Sequence, residues 1–255
     1  MKLSHLYLLA IGSVVLCLFF RINLLITSII MFGIPGVLLT GNIKNKKVIN
    51  RIVIAALLGS IILATIIDYL GFLNHSWFVI DTIFPFRIMN MIPLEDPIWA
   101  LLWVYLILAT YESRFKTGNK SLLGKRAKYW FLLNGFAFLA LVTTFLINPM
   151  LLQTIPYYYL ISGTILALIP TILFLKFYPK YISSFLKVAS YISLVSFLDE
   201  IVALKLNHWT FYGGKFLMLI KIWGVNLPFE ELFFFILIGP VFVLCYYEFL
   251  DGDTT

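Results

Sequence analysis

The stretch Asn226-Leu-Pro-Phe-Glu-Glu-Leu-Phe-Phe-Phe235 decides how the rest of this chain is interpreted. It places two adjacent carboxylates, Glu230 and Glu231, at the start of a long apolar run. A charged group at the edge of such a run is costly to bury and usually serves a function. The pair therefore marks a candidate site at the end of a hydrophobic segment.

A second stretch of the same form lies earlier in the chain, Met91-Ile-Pro-Leu-Glu-Asp-Pro-Ile-Trp99. Pro93 and Pro228 are 135 residues apart, and an acid pair follows each of them. Proline is favoured in the first turn of a helix, so we expect a helix to begin at each proline. Two such sites indicate a duplicated unit with paired acidic sites.

The composition predicts a polytopic α-helical membrane protein. The chain is 62% hydrophobic and 12% charged, whereas soluble domains are about 45–50% apolar. A membrane-spanning helix needs about 20 mostly apolar residues. Eight predicted spans follow, of which the first is expected to remain rather than to be cleaved as a signal peptide: Leu6–Phe20, Ile22–Thr40, Ile52–Leu70, Ile98–Tyr111, Trp130–Ile147, Ile155–Phe177, Tyr181–Leu204 and Leu232–Phe249.

The net charge of +7 is interpreted as a topology signal and not as a nucleic-acid surface. Fourteen of the nineteen Lys and Arg residues fall at the N-terminus and in the even-numbered connections between the predicted spans. Positive loops stay in the cytoplasm and contact anionic lipid headgroups. The prediction is a multi-pass cell-membrane protein with both termini cytoplasmic and with membrane lipid as a partner.

Further matches between the two halves support an internal repeat. The paired segments are Ile34-Pro35 with Ile169-Pro170, Asn74-His75 with Asn207-His208, and Tyr111-Glu112 with Tyr247-Glu248. We expect Glu112 and Glu248 to be solvated at the cytoplasmic ends. The predicted organisation is a first repeat over residues 1–113, a basic linker over 114–128 and a second repeat over 129–255. Four spans per repeat make the repeats parallel, which predicts a shared site between them.

The acids of the predicted outer half form the candidate site. Two neighbouring carboxyl groups in a dry site share a proton, so they can supply an acid and a base for an isomerising proton transfer. The proposed catalytic set is Glu95, Asp96, Glu230 and Glu231, and the supporting acids are Asp68, Asp199 and Glu200. The alternative is ordinary helix capping by these acids.

Aromatic and histidine side chains close to these acids are candidates for substrate binding. Aromatic faces stabilise cations, although the same residues also form interfacial belts in membrane proteins. The set comprises Trp77, Trp99, Trp209, Phe233, Phe234, His75 and His208. No metal site and no cofactor are expected, because the histidines and the cysteines Cys17 and Cys245 lack metal-ligand spacing and no nucleotide-binding glycine motif is present.

The residue pattern resembles the integral-membrane lycopene cyclases of the heterodimeric or fused carotenoid-cyclase type. The resemblance rests on a repeated arrangement of an acid at the end of a span, a nearby Trp, and Pro-X-Glu-(Glu/Asp). The matching residues are Asp68, Trp77 and Pro93-Leu-Glu95-Asp96, then Asp199, Trp209 and Pro228-Phe-Glu230-Glu231 with Phe233-Phe234. The first copy departs from the pattern, because Pro97 and Trp99 stand where phenylalanines are expected.

The resemblance implies cyclisation of the linear ends of lycopene to β-rings, without a cofactor and without net redox change. It implies a lipophilic carotenoid substrate, and a homo-oligomer is compatible with it. Two alternatives stay open: a C50 carotenoid end-group cyclase or hydratase, and a proton- or ion-coupled transporter. A structural subunit that needs a catalytic partner is disfavoured by the fusion of two copies.

Overall fold

A computed structural model describes residues 3–115, 125–148, 154–211 and 213–251. The chain is mostly helical, which confirms the predicted all-α class. The helices are α1 (Leu3–Phe20), α2 (Leu24–Ser28), α3 (Ile34–Thr40), α4 (Lys46–Leu73), α5 (Glu95–Arg114), α6 (Lys125–Ile147), α7 (Tyr158–Ser162), α8 (Ile169–Phe177), α9 (Ile182–Leu206) and α10 (Gly239–Asp251), with a 3₁₀ turn at Pro179–Tyr181.

In the described part of the chain, three π-helical segments join shorter helices into longer ones. They are Ile29–Gly33 between α2 and α3, Gly163–Leu168 between α7 and α8, and Glu231–Ile238 before α10. The first two lie directly before Ile34-Pro35 and Ile169-Pro170. Proline has no backbone N–H and its ring crowds the carbonyl one turn earlier, so a widened π turn accommodates it without ending the helix.

The expectation of about eight spans is corrected by the lengths and compositions of the helices. Within the described residues, two continuous helical stretches are long and apolar enough to cross a membrane, Tyr158–Phe177 and Glu231–Phe249. Four shorter apolar helices have 10–17 residues: Ser4–Phe20, Leu24–Thr40, Ala64–Leu73 and Gly135–Ile147. Acids are one reason for the difference, because α5 begins with Glu95 and Asp96 and carries Glu112 near its end.

Among the residues that the structure describes, six short strands form three antiparallel pairs near the acid pairs. The strands are β1 (Phe78–Val79), β2 (Arg87–Ile88), β3 (Ile92–Pro93), β4 (Trp209–Thr210), β5 (Leu219–Ile222) and β6 (Val225–Pro228). Strands β2 and β3 form one hairpin, β5 and β6 form another, and β1 pairs with β4 across the two halves. The prediction that helices begin at Pro93 and Pro228 is wrong, because these prolines end β3 and β6.

The centre of the molecule is formed by α5 and α9. Leu106 and Ile107 of α5 and Ile192 and Val195 of α9 are fully buried in one apolar cluster. Burial of each such side chain contributes about 1.5–3 kcal/mol. The predicted linker over 114–128 lies largely outside the described residues, and the proposed repeat boundaries stay a prediction.

Candidate functional site

A cavity of about 300 Å³ lies between α4 and α5 on one side and the stretches Tyr158–Leu168 and Glu231–Tyr247 on the other. Acids from both halves of the chain line it: Asp68, Asp96, Glu200 and Glu231. Its aromatic lining includes Trp77, Trp99, Trp103, Tyr159, Trp209, Phe211, Phe234 and Phe235. Most of the remaining wall is aliphatic, so the acids lie in a largely apolar space.

Glu231 is positioned by a tyrosine from the facing helix. The Tyr159 hydroxyl donates to Glu231 Oε2 at 2.5 Å, and the Glu231 side chain is buried. Gly163, one turn after Tyr159, permits this approach, because a Cβ there would lie 2.4 Å from the Phe234 ring. A hydrogen bond to a charged group contributes about 1.5–3 kcal/mol, which holds the carboxyl in one orientation.

Asp96 lines the cavity, and one of its carboxyl oxygens is unpaired within the described residues. Its Oδ2 is buried and has no hydrogen-bond partner within the described part of the chain. Leaving a buried polar atom unpaired costs about 1–3 kcal/mol, and such groups are often catalytic. Asp96 is therefore a group with capacity for a proton or a ligand.

The first acid of each pair, Glu95 or Glu230, binds loop amides, whereas the second acid lines the cavity. Glu95 accepts hydrogen bonds from the backbone amides of Ile83 and Phe84, and Glu230 accepts one from the amide of Leu217 at 2.7 Å. Neither Glu95 nor Glu230 lines the cavity. Each connects its helix start to the preceding loop, which is the backbone-anchoring role of a helix-terminal acid.

Asp68 and Glu200 have matching tryptophan partners. Trp77 hydrogen-bonds Asp68, and Trp209 Nε1 donates to Glu200 Oε1 at 2.9 Å. Each tryptophan follows its acid by nine residues. The resemblance aligned Asp68 with Asp199. In the structure, however, Glu200 has the corresponding tryptophan partner. Asp199 instead accepts a hydrogen bond from Trp99 of α5 at 3.1 Å.

A tryptophan cluster forms the wall next to the acids. Trp99 and Trp103 stack with ring centroids 6.2 Å apart, and Phe235 packs against both at 5.2 and 4.8 Å. Trp209 meets Trp99 edge to face at 5.8 Å. Faces of electron-rich rings attract cations, so this wall can stabilise positive charge that develops beside the acids.

Three predicted binding residues lie outside the cavity. His75 is exposed, and Phe233 stacks on Phe229 rather than facing the acids. His208 is buried, and its Nε2 donates to the Ile22 carbonyl at 2.8 Å and lies 3.7 Å from Asp81 Oδ2. Burial lowers the pKa of His208 below its ordinary 6.5, although its contacts with Ile22 and Asp81 oppose the shift.

The far end of the cavity reaches a buried polar cluster at Tyr247. The Tyr247 hydroxyl donates to Glu112 Oε1 at 2.6 Å, and Arg51 forms an ion pair with the same carboxylate. Tyr111 hydrogen-bonds Glu248 in turn. The expectation that Glu112 and Glu248 are solvated is wrong, because partners from neighbouring helices enclose both side chains.

Sequence reasoning missed Tyr159 and Trp103. Tyr159 belongs to the run Tyr157-Tyr158-Tyr159 at the start of an apolar span. Hydroxyl groups at such a position are candidate hydrogen-bond donors to buried acids. Trp103 follows Trp99 by one helical turn, so both rings lie on the same face of α5. The partners themselves depend on contacts between helices.

The chemistry available in the cavity is proton transfer in a dry environment. Four carboxyl groups enclosed by apolar walls cannot all be ionised, because burial and mutual repulsion both disfavour the charged forms. At least one of these carboxyl groups is therefore expected to carry a proton. Among the described residues, no group of three or more His, Cys, Asp or Glu side chains is arranged to hold a metal ion.

Comparisons of this chain with protein-family models, with curated proteins and with solved structures found no match.

Proposed function

We propose that this chain is a membrane-embedded carotenoid cyclase that converts the linear ends of lycopene to β-rings by acid and base catalysis. The observation that carries the proposal is the meeting of Asp68, Asp96, Glu200 and Glu231 in an apolar, tryptophan-walled cavity. Such a cavity suits a hydrocarbon that must be protonated away from water. The residue pattern of the family supports the same assignment.

The reaction needs a proton donor, a cation-stabilising wall and a proton acceptor. A carboxylic acid protonates the terminal double bond and leaves a tertiary carbocation. The next double bond attacks this cation, which closes the ring and moves the positive charge onto a ring carbon. A carboxylate then removes a proton to form the ring double bond, so one proton enters and one leaves without any change in oxidation state.

The positions of the side chains support particular roles. Glu231 and Asp96 form the proposed acid and base pair, and Tyr159 orients Glu231. Trp99 and Trp103 form the proposed cation-stabilising wall. Glu95 and Glu230, which the sequence placed in the catalytic set, are instead proposed to position the pair through the loop amides that they bind.

The exposed surface supports insertion of the helical chain into a membrane, and the internal repeat is proposed to form two parallel units. Large apolar side chains point outward, for example Phe19, Phe136 and Leu146 at 78%, 73% and 74% exposure. Apolar surface of this kind marks contact with lipid or with another apolar partner. The π-helical turns before Ile34-Pro35 and Ile169-Pro170 and the hairpins before both acid pairs support the repeated unit.

The test is expression in a lycopene-accumulating bacterium with chromatography of the pigments. The wild-type chain is expected to produce γ- and β-carotene. Glu231→Gln is expected to lower conversion at least about a hundredfold, as typical for a general acid or base. The matched variant Glu230→Gln should retain most activity, because its amide oxygen still accepts from Leu217.

Other outcomes would overturn the proposal. Unchanged lycopene with the wild-type protein present in the membrane would reject the lycopene cyclase assignment. Hydroxylated acyclic products would indicate a hydratase instead. Equal losses in Glu230→Gln and Glu231→Gln would reject the division of roles within the pair.

A further inference from the structure

We infer that the chain has one composite binding cavity, which takes one end of a linear isoprenoid chain at a time, so that the two ends are processed in successive binding events. This inference rests on the proposed function for the identity of the substrate. Its structural basis is a difference between two corresponding spaces: one is an open cavity, and the other is occupied by side chains. A duplicated chain would otherwise offer one site per half.

Both halves contribute to the same cavity. Asp68 and Asp96 come from the first 113 residues, and Glu200, Glu231 and Tyr159 come from the residues after 128. No acid pair therefore has a cavity of its own. Removing the contribution of either half would leave the acids without their counterparts.

The corresponding space on the other side of the acids is filled by side chains. It would lie between the stretch Leu24–Thr40 and α9, where Met31, Phe32 and Tyr191 are buried in the apolar core. The Tyr105 ring closes α3 against α5, because a Cβ on Gly36 would lie 2.7 Å from that ring.

A polar contact fixes this closure. The Tyr105 hydroxyl lies 2.8 Å from Thr40 Oγ1, so the ring is held against α3 by a hydrogen bond as well as by packing. Close-packed interiors resist the entry of a bulky ligand, because repacking costs about 1–3 kcal/mol. The cavity that the acids line lies on the Tyr159 side of them.

The size of the cavity limits how much of a ligand it can enclose. Its volume of about 300 Å³ lies at the lower end of the range for pockets that hold drug-sized molecules. At about 1.5 Å per residue, the wall from Glu231 to Tyr247 extends roughly 24 Å. A narrow cavity of this volume holds part of a C40 polyene, and the other end remains outside in the lipid.

The far wall at Tyr247 gives the cavity a defined end. Tyr247 is held by Glu112, which is in turn paired with Arg51. The acids lie at one end of the cavity and this cluster at the other. We therefore expect the second end to reach the acids only after the chain leaves and re-enters in the reverse direction.

The first experiment measures bound lycopene per chain in the purified, detergent-solubilised Glu231→Gln protein. We expect one lycopene per chain at saturation, and Ala167→Phe, which fills the cavity wall, should lower the affinity at least about tenfold in the same background. Ala140→Phe adds the same side chain at an exposed position of α6 and should bind normally. Two lycopenes per chain would overturn the inference.

The second experiment follows the wild-type protein during turnover of labelled lycopene. Labelled γ-carotene should build up before β-carotene, and a chase with excess unlabelled lycopene should trap it at the monocyclic stage. Ala167→Phe should slow both ring closures equally, whereas a two-site enzyme would keep about half of its activity. β-Carotene that forms without a chase-sensitive intermediate would reject the inference.

The two experiments separate the inference from the proposed function. Absence of any cyclic product from the wild-type chain would reject the cyclase proposal. The binding stoichiometry would still decide between one cavity and two, because it does not depend on turnover.

Discussion

The hydrogen bond between Tyr159 and Glu231 in the cavity can be tested by removing a single oxygen atom. Tyr159→Phe removes the hydroxyl that donates to Glu231 Oε2 and keeps the ring. We predict a fall in the cyclisation rate of about tenfold, because a hydrogen bond to a carboxyl group contributes about 1.5–3 kcal/mol.

The measurement is the initial rate of γ-carotene formation in isolated membranes. Tyr157→Phe serves as the control, since Tyr157 is partly exposed and does not line the cavity. Equal rates for the wild type and Tyr159→Phe would show that the hydroxyl does not position Glu231.

Trp99 separates an aromatic contribution from a hydrogen-bonding one. Trp99→Phe loses the indole donor to Asp199 but keeps a ring beside Phe235, whereas Trp99→Leu loses both. If the ring face stabilises a carbocation, Trp99→Leu should be slower than Trp99→Phe by roughly threefold to thirtyfold, which corresponds to about 0.5–2 kcal/mol. The measurement is the cyclisation rate of both variants at saturating lycopene. Equal rates would argue against a cation-stabilising wall.

At the scale of elements, the first acid of each pair joins the start of its helix to the loop that precedes the hairpin. Glu230→Ala removes the acceptor for the Leu217 amide, so we predict a loss of about 1–3 kcal/mol in unfolding free energy and a lower Tm. Glu230→Gln keeps an acceptor oxygen and should unfold near the wild-type temperature. Thermal unfolding in detergent compares the two, and identical Tm values would show that the anchor contributes nothing.

The loop after α9 contains a buried histidine, His208, that we expect to make the stability depend on pH. Burial of His208 lowers its pKa below 6.5, so the unfolded chain binds a proton more readily than the folded chain. Stability is therefore full above about pH 6.5 and should fall as the pH decreases below that value. Asp81 lies 3.7 Å from the ring and opposes this loss only in part.

The pH prediction is measured as Tm from pH 8 to pH 5. His208→Gln still donates to the Ile22 carbonyl and should flatten the profile, whereas His75→Gln at an exposed position should leave it unchanged. A wild-type profile that matches that of His208→Gln would exclude His208 as the titrating group.

At the scale of the whole molecule, a buried ion pair links α4, α5 and α10. Arg51 and Glu112 are almost fully enclosed, and Tyr247 donates to the same carboxylate. Arg51→Met removes the cation of this ion pair, and we predict a loss of about 3–5 kcal/mol in unfolding free energy. The double variant Arg51→Met/Glu112→Gln removes both charges and should recover part of that loss.

Thermal unfolding of the single and double variants in the same detergent provides the comparison. A double variant that is less stable than Arg51→Met alone would show that Glu112 is stabilised mainly by Tyr247 and not by the ion pair.

The sequence predicted the class of secondary structure better than it predicted where individual helices begin. Periodic apolar runs predicted the helical class, because hydrophobicity is a local property of the chain. The helix starts at Pro93 and Pro228 were wrong, since the preference of proline for a first helical turn was outweighed by hairpin pairing with residues as far away as Leu219. The number of span-length helices was overestimated partly because acids interrupt apolar runs, as at Glu95, Asp96 and Glu112 in α5.

By itself, the sequence determined the all-α class, the acid pairs and the aromatic residues near them. Only the tertiary structure decided which acid of each pair faces the cavity. Glu230 and Glu231 are adjacent in sequence, yet one binds the Leu217 amide and the other meets Tyr159. The physical reason is that consecutive helical residues point about 100° apart, so the packing of distant segments selects which side chain is enclosed.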